Sequence, residues 1–468
     1  MRRAIVFLWL AVIVSTTACR DYAHFEKHTT YDASAQVDGG ADGGPPSDGG
    51  MATDGGPDDG GMLGCVDPLL SDLNANPAPA LNEKEPYPVG FAPARVVLVS
   101  FVGSSGRHSA LGFLPGNSTT GGLTRVDDID DDTIATKPTT ATNLPEGGSS
   151  FAAERVPGGD VHMIVVCDTM TGCGGNAIHE YTWGSGILKE EISLMPGYRP
   201  MSVTFGDVTG DGVPDLLVGA VTGPMAGVVS SSVQIFAGQV GKQFLDSVPV
   251  EVPLAMSFGA PSLVTVFPNK QTKKSFIAVL DPAGGGTSTL ALLTGSSAHF
   301  DVVPLQTTAT YVDMFGAESL YHTSYATTMT AADVDHDGQD DLVLGGDEYA
   351  GTTTPTKRLI TLTTLTTMGA ANVTAGVTGV VAGLQRIDWN RDGADDLFFW
   401  TRAEVPSHPV YASVFQQRGG GQFELSTPTG MSRPESVYPA IASPAALSCP
   451  PRLVFSDTEK PRISILEP

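Results

Sequence analysis

The apolar residues of this chain fall in short runs separated by Gly, Pro, Asn, Asp and Thr. Such runs occupy Arg95–Phe101, Val161–Cys167, Ser202–Phe205, Asp215–Ala220, Ser231–Ala237, Ser275–Leu280, Leu342–Gly345, Arg358–Leu365 and Asp396–Trp400. β-Branched and aromatic residues are frequent in them and turn formers bound them, which predicts strands. No stretch sustains an apolar period of about 3.6 residues over the length of a helix. The pattern predicts one all-β domain over residues 65–468.

Three of the turns between runs are acidic and alike. In Asp333-Val334-Asp335-His336-Asp337-Gly338-Gln339-Asp340-Asp341, carboxylates stand at positions 1, 3, 5 and 9, and Gly338 at position 6 permits a sharp turn. A second copy runs from Asp207 through Thr209, Asp211 and Gly212 to Asp215, and a third from Asp388 through Asn390, Asp392 and Gly393 to Asp396. Hard oxygen ligands at this spacing suit Ca²⁺. The candidate ligands are Asp333, Asp335, Asp337, Gln339 and Asp341; Asp207, Thr209, Asp211, Val213 and Asp215; and Asp388, Asn390, Asp392, Ala394 and Asp396. A helical EF-hand begins similarly but closes with a Glu at position 12; here that place holds Leu344, Val218 or Phe399, and strands flank the loop. Loop 333 has four acidic ligands and the others three, so it is expected to bind tightest. The alternative is that each loop is a solvated turn.

The first Asp residues lie at 207, 333 and 388, which prompts a search for further copies at similar intervals. Seven registers emerge, at 101, 154, 207, 267, 333, 388 and 456. The copies at 101, 267 and 456 put Ser109, Ser275 and Ser464 at position 9, and the copy at 154 puts His162 there, so Ca²⁺ is not expected in them. A repeat of about 55–65 residues made of short strands fits one four-stranded propeller blade. In the copy at 207, Met201–Gly206 and Asp215–Ala220 would be its first two strands, and Val228–Ala237 and Gln243–Val252 the next two. A lone blade leaves both faces apolar, and only a ring of stacked blades buries them.

The run Phe205-Gly206-Asp207, Asp211-Gly212 and Pro214-Asp215-Leu216, with its two further copies, resembles the FG-GAP repeat, also described as the VCBS repeat. This is the unit of the integrin alpha-subunit propeller and of many bacterial extracellular proteins. The resemblance implies a seven-bladed β-propeller with Ca²⁺ loops between the first two strands of some blades. It does not bring integrin adhesion with it, because no inserted ligand-binding domain is visible.

The N-terminus changes the setting of this domain. Arg2 and Arg3 precede an apolar segment, Ala4–Val14, too short to span a bilayer. Thr16-Thr17-Ala18-Cys19 follows and resembles a bacterial lipobox, although that family usually has Leu where Thr16 stands. The expectation is a signal peptide over 1–18 and lipidation of Cys19, with ordinary signal-peptidase cleavage as the alternative. Arg20 lacks the inner-membrane retention character of Asp, which favours the outer membrane. Residues 19–64 repeat Asp-Gly-Gly with interspersed Pro, a composition that cannot bury apolar surface and is expected to be a disordered tether. A Ca²⁺-binding tract is the other reading.

Acidic residues outnumber basic ones 51 to 26, giving a formal charge of −25. That argues against nucleic acid and against a polybasic grip on lipid. Apart from Cys19 the four cysteines suit an oxidising compartment: Cys167 and Cys173 could staple one turn, and Cys65 and Cys449, at the two ends of the folded region, could close the ring. No catalytic motif is found: there is no Gly-x-Ser-x-Gly elbow and no His-Glu-x-x-His. The acidic cluster Asp127, Asp128, Asp130, Asp131 and Asp132 reads as a solvated loop before a cation site, and His162 as a packed or hydrogen-bonded residue. The function expected is a membrane-anchored binding or scaffold module, with a protein or glycan ligand on the loop face and partner contact on the long connections 302–330 and 425–450. The alternative is a carbohydrate-active enzyme, a lyase or hydrolase, on the same Ca²⁺-stabilised frame.

Overall fold

The structure is a computed structural model that describes the strands and many of the turns between residues 82 and 467; its longest uninterrupted stretches are 196–223 and 230–254. The described residues form antiparallel sheets, with a single 3-10 turn at Phe244–Asp246. Seven of the sheets have three to five strands. The innermost strands, in order, are Arg95–Val99, Ser150–Arg155, Tyr198–Gly206, Leu263–Asn269, His322–Ala332, Val380–Ile387 and Val437–Ala442. Each touches the next, and the seventh touches the first, so the sheets form a closed cycle. This is the propeller architecture.

The interior lies between sheets. Val97, Leu111 and Phe113 of the first sheet meet Phe151, Met163 and Val165 of the second. Ile164 and Val166 on the other face of that sheet meet Val203, Leu216 and Val218 of the third. Leu217 and Val233 then face Ile277 and Val279 of the fourth. The strand Val161–Cys167 is buried along its whole length, which explains why, His162 apart, its sequence is apolar on both faces and does not alternate. Each large side chain removed from water in this way stabilises the fold by about 1.5–3 kcal/mol.

The sequence-derived strands agree with the structure to within a few residues; the run predicted at Ser231–Ala237 is Ser230–Phe236, and Ser275–Leu280 is Lys274–Asp281. Three expectations are corrected. The register at 456 falls at the turn between the second and third strands of the seventh sheet, Arg452–Asp457 and Arg462–Glu467, because its innermost strand is Val437–Ala442. The strand expected over Gln243–Val252 is instead the 3-10 turn followed by the short strand Val250–Pro253. The connection 302–330 contains Ala309–Thr310 and most of the inner strand His322–Ala332, and 425–450 contains Ser432–Arg433 and Val437–Ala442, so neither is a free loop. Among the described residues the fifth sheet has three strands, and the place of a fourth lies outside them.

The seventh sheet is completed from the start of the domain. Asn82–Glu83 and Tyr87–Pro88 both pair with Arg462–Glu467, and Val89 packs with Val454, Ile463 and Ile465. The ends of the domain therefore close the ring through backbone hydrogen bonds. The signal segment 1–18, Cys19, the tether, Cys65 and Cys449 lie outside the described residues.

One regularity was not visible in the pattern. The inner strand is bulged at residue 201, 327 and 382 in the third, fifth and sixth sheets. Each bulge stands six residues before the first Asp of its acidic loop. A bulge bends a strand and increases its twist, and here it accompanies every strong copy of the motif.

A chain beginning at residue 90 lacks both closing segments. It is expected to melt below the full chain and to lose a single cooperative transition, while a chain beginning at residue 65 should melt with the full chain; scanning calorimetry of the two checks this.

Candidate functional site

The loop 207–215 joins the strands Tyr198–Gly206 and Asp215–Thr222 and is described in full. It is wound on its own carboxylates. Asp207 Oδ1 accepts the N–H of Gly210 (2.6 Å) and of Asp211 (3.1 Å), and Oδ2 that of Gly212 (2.8 Å). Asp211 Oδ1 accepts the N–H of Val213 (2.9 Å). Gly210 and Gly212 have φ of 78° and 82°, a left-handed conformation that favours glycine. Gly212 occupies the position-6 turn expected from sequence.

Asp215 closes the loop from inside. Its side chain is fully buried, Oδ2 accepts the N–H of Val208 and of Thr209 (2.9 Å each), and Oδ1 accepts the N–H of Gly238 (2.8 Å) from the turn after the third strand. Burial pushes its pKa from 3.8 to about 6; the three N–H donors pull the other way, and the nearby Asp207 adds to the rise. The sixth sheet repeats the arrangement, where buried Asp396 Oδ2 accepts the N–H of Trp389 (2.9 Å). In both loops the position-9 carboxylate holds the backbone of position 2, whose side chain, Val208 or Trp389, is buried.

The other copies meet the same buried corner differently. Ser109 donates to Asp127 Oδ1 (2.7 Å), and Asp127 is also paired with Arg125. Asp127 thus serves the fold; the rest of its acidic cluster lies outside the described residues. His162 Nδ1 is hydrogen-bonded to the buried Glu180, and its ring meets Phe244 edge-on at 5.4 Å. The structure thus bears out a hydrogen-bonded, packed His162.

The fifth and sixth sheets join through charge. Arg386 reaches Asp340 Oδ1 (3.0 Å) and Asp395 Oδ2 (3.3 Å), and Asp395 Oδ2 accepts the N–H of Asp333 (2.7 Å). These position-8 carboxylates were not singled out from sequence, because the repeat assigns no role there. Asp333 and Asp388 flank their inner strands, Asp341 opens its strand and Ala394 is half-buried. Asp335, Asp337, Gln339, Asn390, Asp392 and Cys173 lie outside the described residues, while Cys167 is buried at the end of its strand.

Among the described residues, no three His, Cys, Asp or Glu side chains gather as a set able to hold a metal ion. The donor chemistry of loop 207–215 still suits a hard cation. Its polar side chains offer only oxygen, and Thr209 Oγ1, at position 3, is buried with no hydrogen-bond partner. A buried oxygen left in that state calls for a water or an ion. Asp207, Thr209, Asp211 and Asp215, with the Val213 carbonyl, are the residues that would hold one.

Residues 200–231 match the FG-GAP repeat family. No curated protein matches the sequence. Among solved structures, the chain is similar to the polysaccharide lyase Uly1 (TM-score 0.43, 11% identity, 81% of this chain and 90% of that one). It is also similar to the β-propeller domain of the Trilobed protease from Pyrococcus furiosus, described as having an open velcro topology (TM-score 0.39, 8% identity, 81% and 94%). A third is the Dos1 propeller (TM-score 0.38, 10% identity, 82% and 95%). Likeness at this level says nothing about activity. The closed cycle of sheets and the repeat at 200–231 together define a β-propeller carrying an FG-GAP repeat.

Replacing Asp215 by Asn turns an amide N–H₂ toward backbone donors and leaves at least one buried N–H without an acceptor. This should cost about 1–3 kcal/mol in denaturant titrations performed in chelator. A pH dependence follows as well. Because the folded-state pKa of Asp215 lies above its ordinary value, this group's contribution improves as pH falls from about 6 towards 3.8. A cation would favour the ionised form, so the rise in melting temperature with Ca²⁺ should be larger at pH 7.5 than at pH 5.

Proposed function

We propose that this chain is an exported, lipid-anchored, Ca²⁺-stabilised propeller that acts as a binding or scaffold module at the bacterial envelope. We read its seven sheets as seven blades, Cys19 as the lipidated residue, the membrane as the bacterial outer membrane, and 19–64 as the tether that lets the ring stand off from it. The observation that carries the ion is the buried, unpartnered Thr209 oxygen inside a loop of three carboxylates. Clustered like charges repel, and an ion that binds only the native loop stabilises it by mass action.

A binding role is supported by the way the frame uses its side chains. The strands spend theirs on the seams between sheets, and the turns joining them are left for recognition of a protein or glycan. The disulfides Cys65–Cys449 and Cys167–Cys173 belong to the same reading, since both suit an oxidising compartment and the first would reinforce the closing strands.

Calorimetric titration of the full chain with Ca²⁺ should give binding heat and a raised melting temperature; neither signal would mean the loops are solvated turns. Crosslinking and pull-down from protease-accessible whole cells should return a discrete partner. Turnover of a polysaccharide in a glycan panel would replace the binding role with the carbohydrate-active enzyme.

A further inference from the structure

The turn between the third and fourth strands of the third sheet, residues 237–243, is tied to the acidic loop at one point. Gly238 donates its N–H to Asp215 Oδ1 (2.8 Å), and no side chain fits there. A Cβ at Gly238 would lie 2.1 Å from the Pro214 carbonyl oxygen and 2.9 Å from Val213 Cγ1. The obstacle is mainly backbone, so it cannot swing aside as a flexible side chain would. Gly238 is therefore required by close approach of two chain segments, one of which is the loop itself.

Beyond this contact the turn is exposed. The N–H of Lys242 closes it on the Gln239 carbonyl (3.1 Å), Gly241 is in the left-handed region, and Val240 and Lys242 face solvent. Its far end is anchored by Ser247 Oγ, which donates to the Ala237 carbonyl (2.8 Å), and by Phe244, buried against Phe205 and His162. Val240 of this turn is one of three large apolar side chains that stand exposed among the described residues; the other two, Val248 and Val250, follow the 3-10 turn. The turn is thus closed at its base by Ser247 and Phe244 and joined to the acidic loop at Gly238.

We propose that Gly238 is a positioning residue through which the acidic loop governs this turn, so that a divalent cation in loop 207–215 orders residues 238–243 and sets how Val240 is presented at the surface. The inference rests on the Ca²⁺ reading of that loop. Physically, the cation and the Gly238 N–H bear on the same carboxylate. A site that holds the Asp215 carboxylate in place also holds the acceptor for Gly238, and linkage makes the effect reciprocal.

Limited trypsin digestion of the full chain tests this at one bond, the cut after Lys242, followed by mass spectrometry. Cleavage of a locally opened segment tracks its opening equilibrium. Going from chelator to Ca²⁺ at about ten times its dissociation constant should slow that cut about ten-fold. In Gly238→Ala the cut should be as fast with Ca²⁺ as without, and Ca²⁺ should bind the loop more weakly. Asp207→Asn, which leaves Gly238 and Asp215 in place, should lose the protection by losing the ion, and circular dichroism of both variants checks that the sheets persist. Should wild-type protein bind one more Ca²⁺ than Asp207→Asn by calorimetry with no change in cleavage after Lys242, the coupling is overturned while the ion site stands. Absence of binding heat would instead overturn the ion reading and the coupling with it.

Discussion

The first, second and third sheets of this protein each have two apolar faces, and that requirement organises the rest. A sheet packed on one side only would leave a row of Val, Ile and Phe in water. The ring answers by making each sheet the partner of two others, as the second sheet shows, with Met163 and Val165 serving one seam and Ile164 and Val166 the next. It follows that the ends of the domain must meet. They do so in the seventh sheet, where strands from the start of the domain complete an edge that the C-terminal strands leave open. Closure here is a hydrogen-bonded and apolar contact, and it leaves two very short strands as the outer edge of the sheet.

The corner between the first two strands of each sheet is the second constraint. Its ninth position is buried, yet a polar group stands there in the copies whose side chains are described. Asp215 and Asp396 are satisfied by backbone N–H groups, Ser109 by Asp127 and His162 by Glu180. The ion loop is thus one of several solutions to the same local problem, a buried polar group that needs partners. Retention of carboxylates in three copies marks them as different in kind. Ser and His need only a neighbour, whereas a buried carboxylate beside another one is held at a cost that the raised pKa of Asp215 expresses.

Much of this was legible because it is local. The strands show in the runs of β-branched residues, the tight turn shows in Gly212, and the loop ligands show in the spacing of Asp207, Asp211 and Asp215. What was misread was also instructive. The register at 456 was found by counting, and counting fails where a copy has neither acid nor glycine to anchor it. The inner strand Val437–Ala442 carries no motif, so the structure alone places it. The long segments 302–330 and 425–450 looked like loops because their strands are short or rich in Thr, Ser and Ala, residues whose pairing depends on an adjacent strand already in place.

The sequence by itself determined the class of fold, the repeated corner and the identity of the oxygen donors, since each follows from the order of neighbouring residues. Tertiary structure decided what joins residues far apart in the chain. It brought Gly238 onto Asp215, Arg386 between Asp340 and Asp395, and residues 82–88 onto the last strand. Their spacing in sequence carries no period or motif, because the contacts arise from the packing of whole sheets around an axis. Only the assembled ring sets those distances.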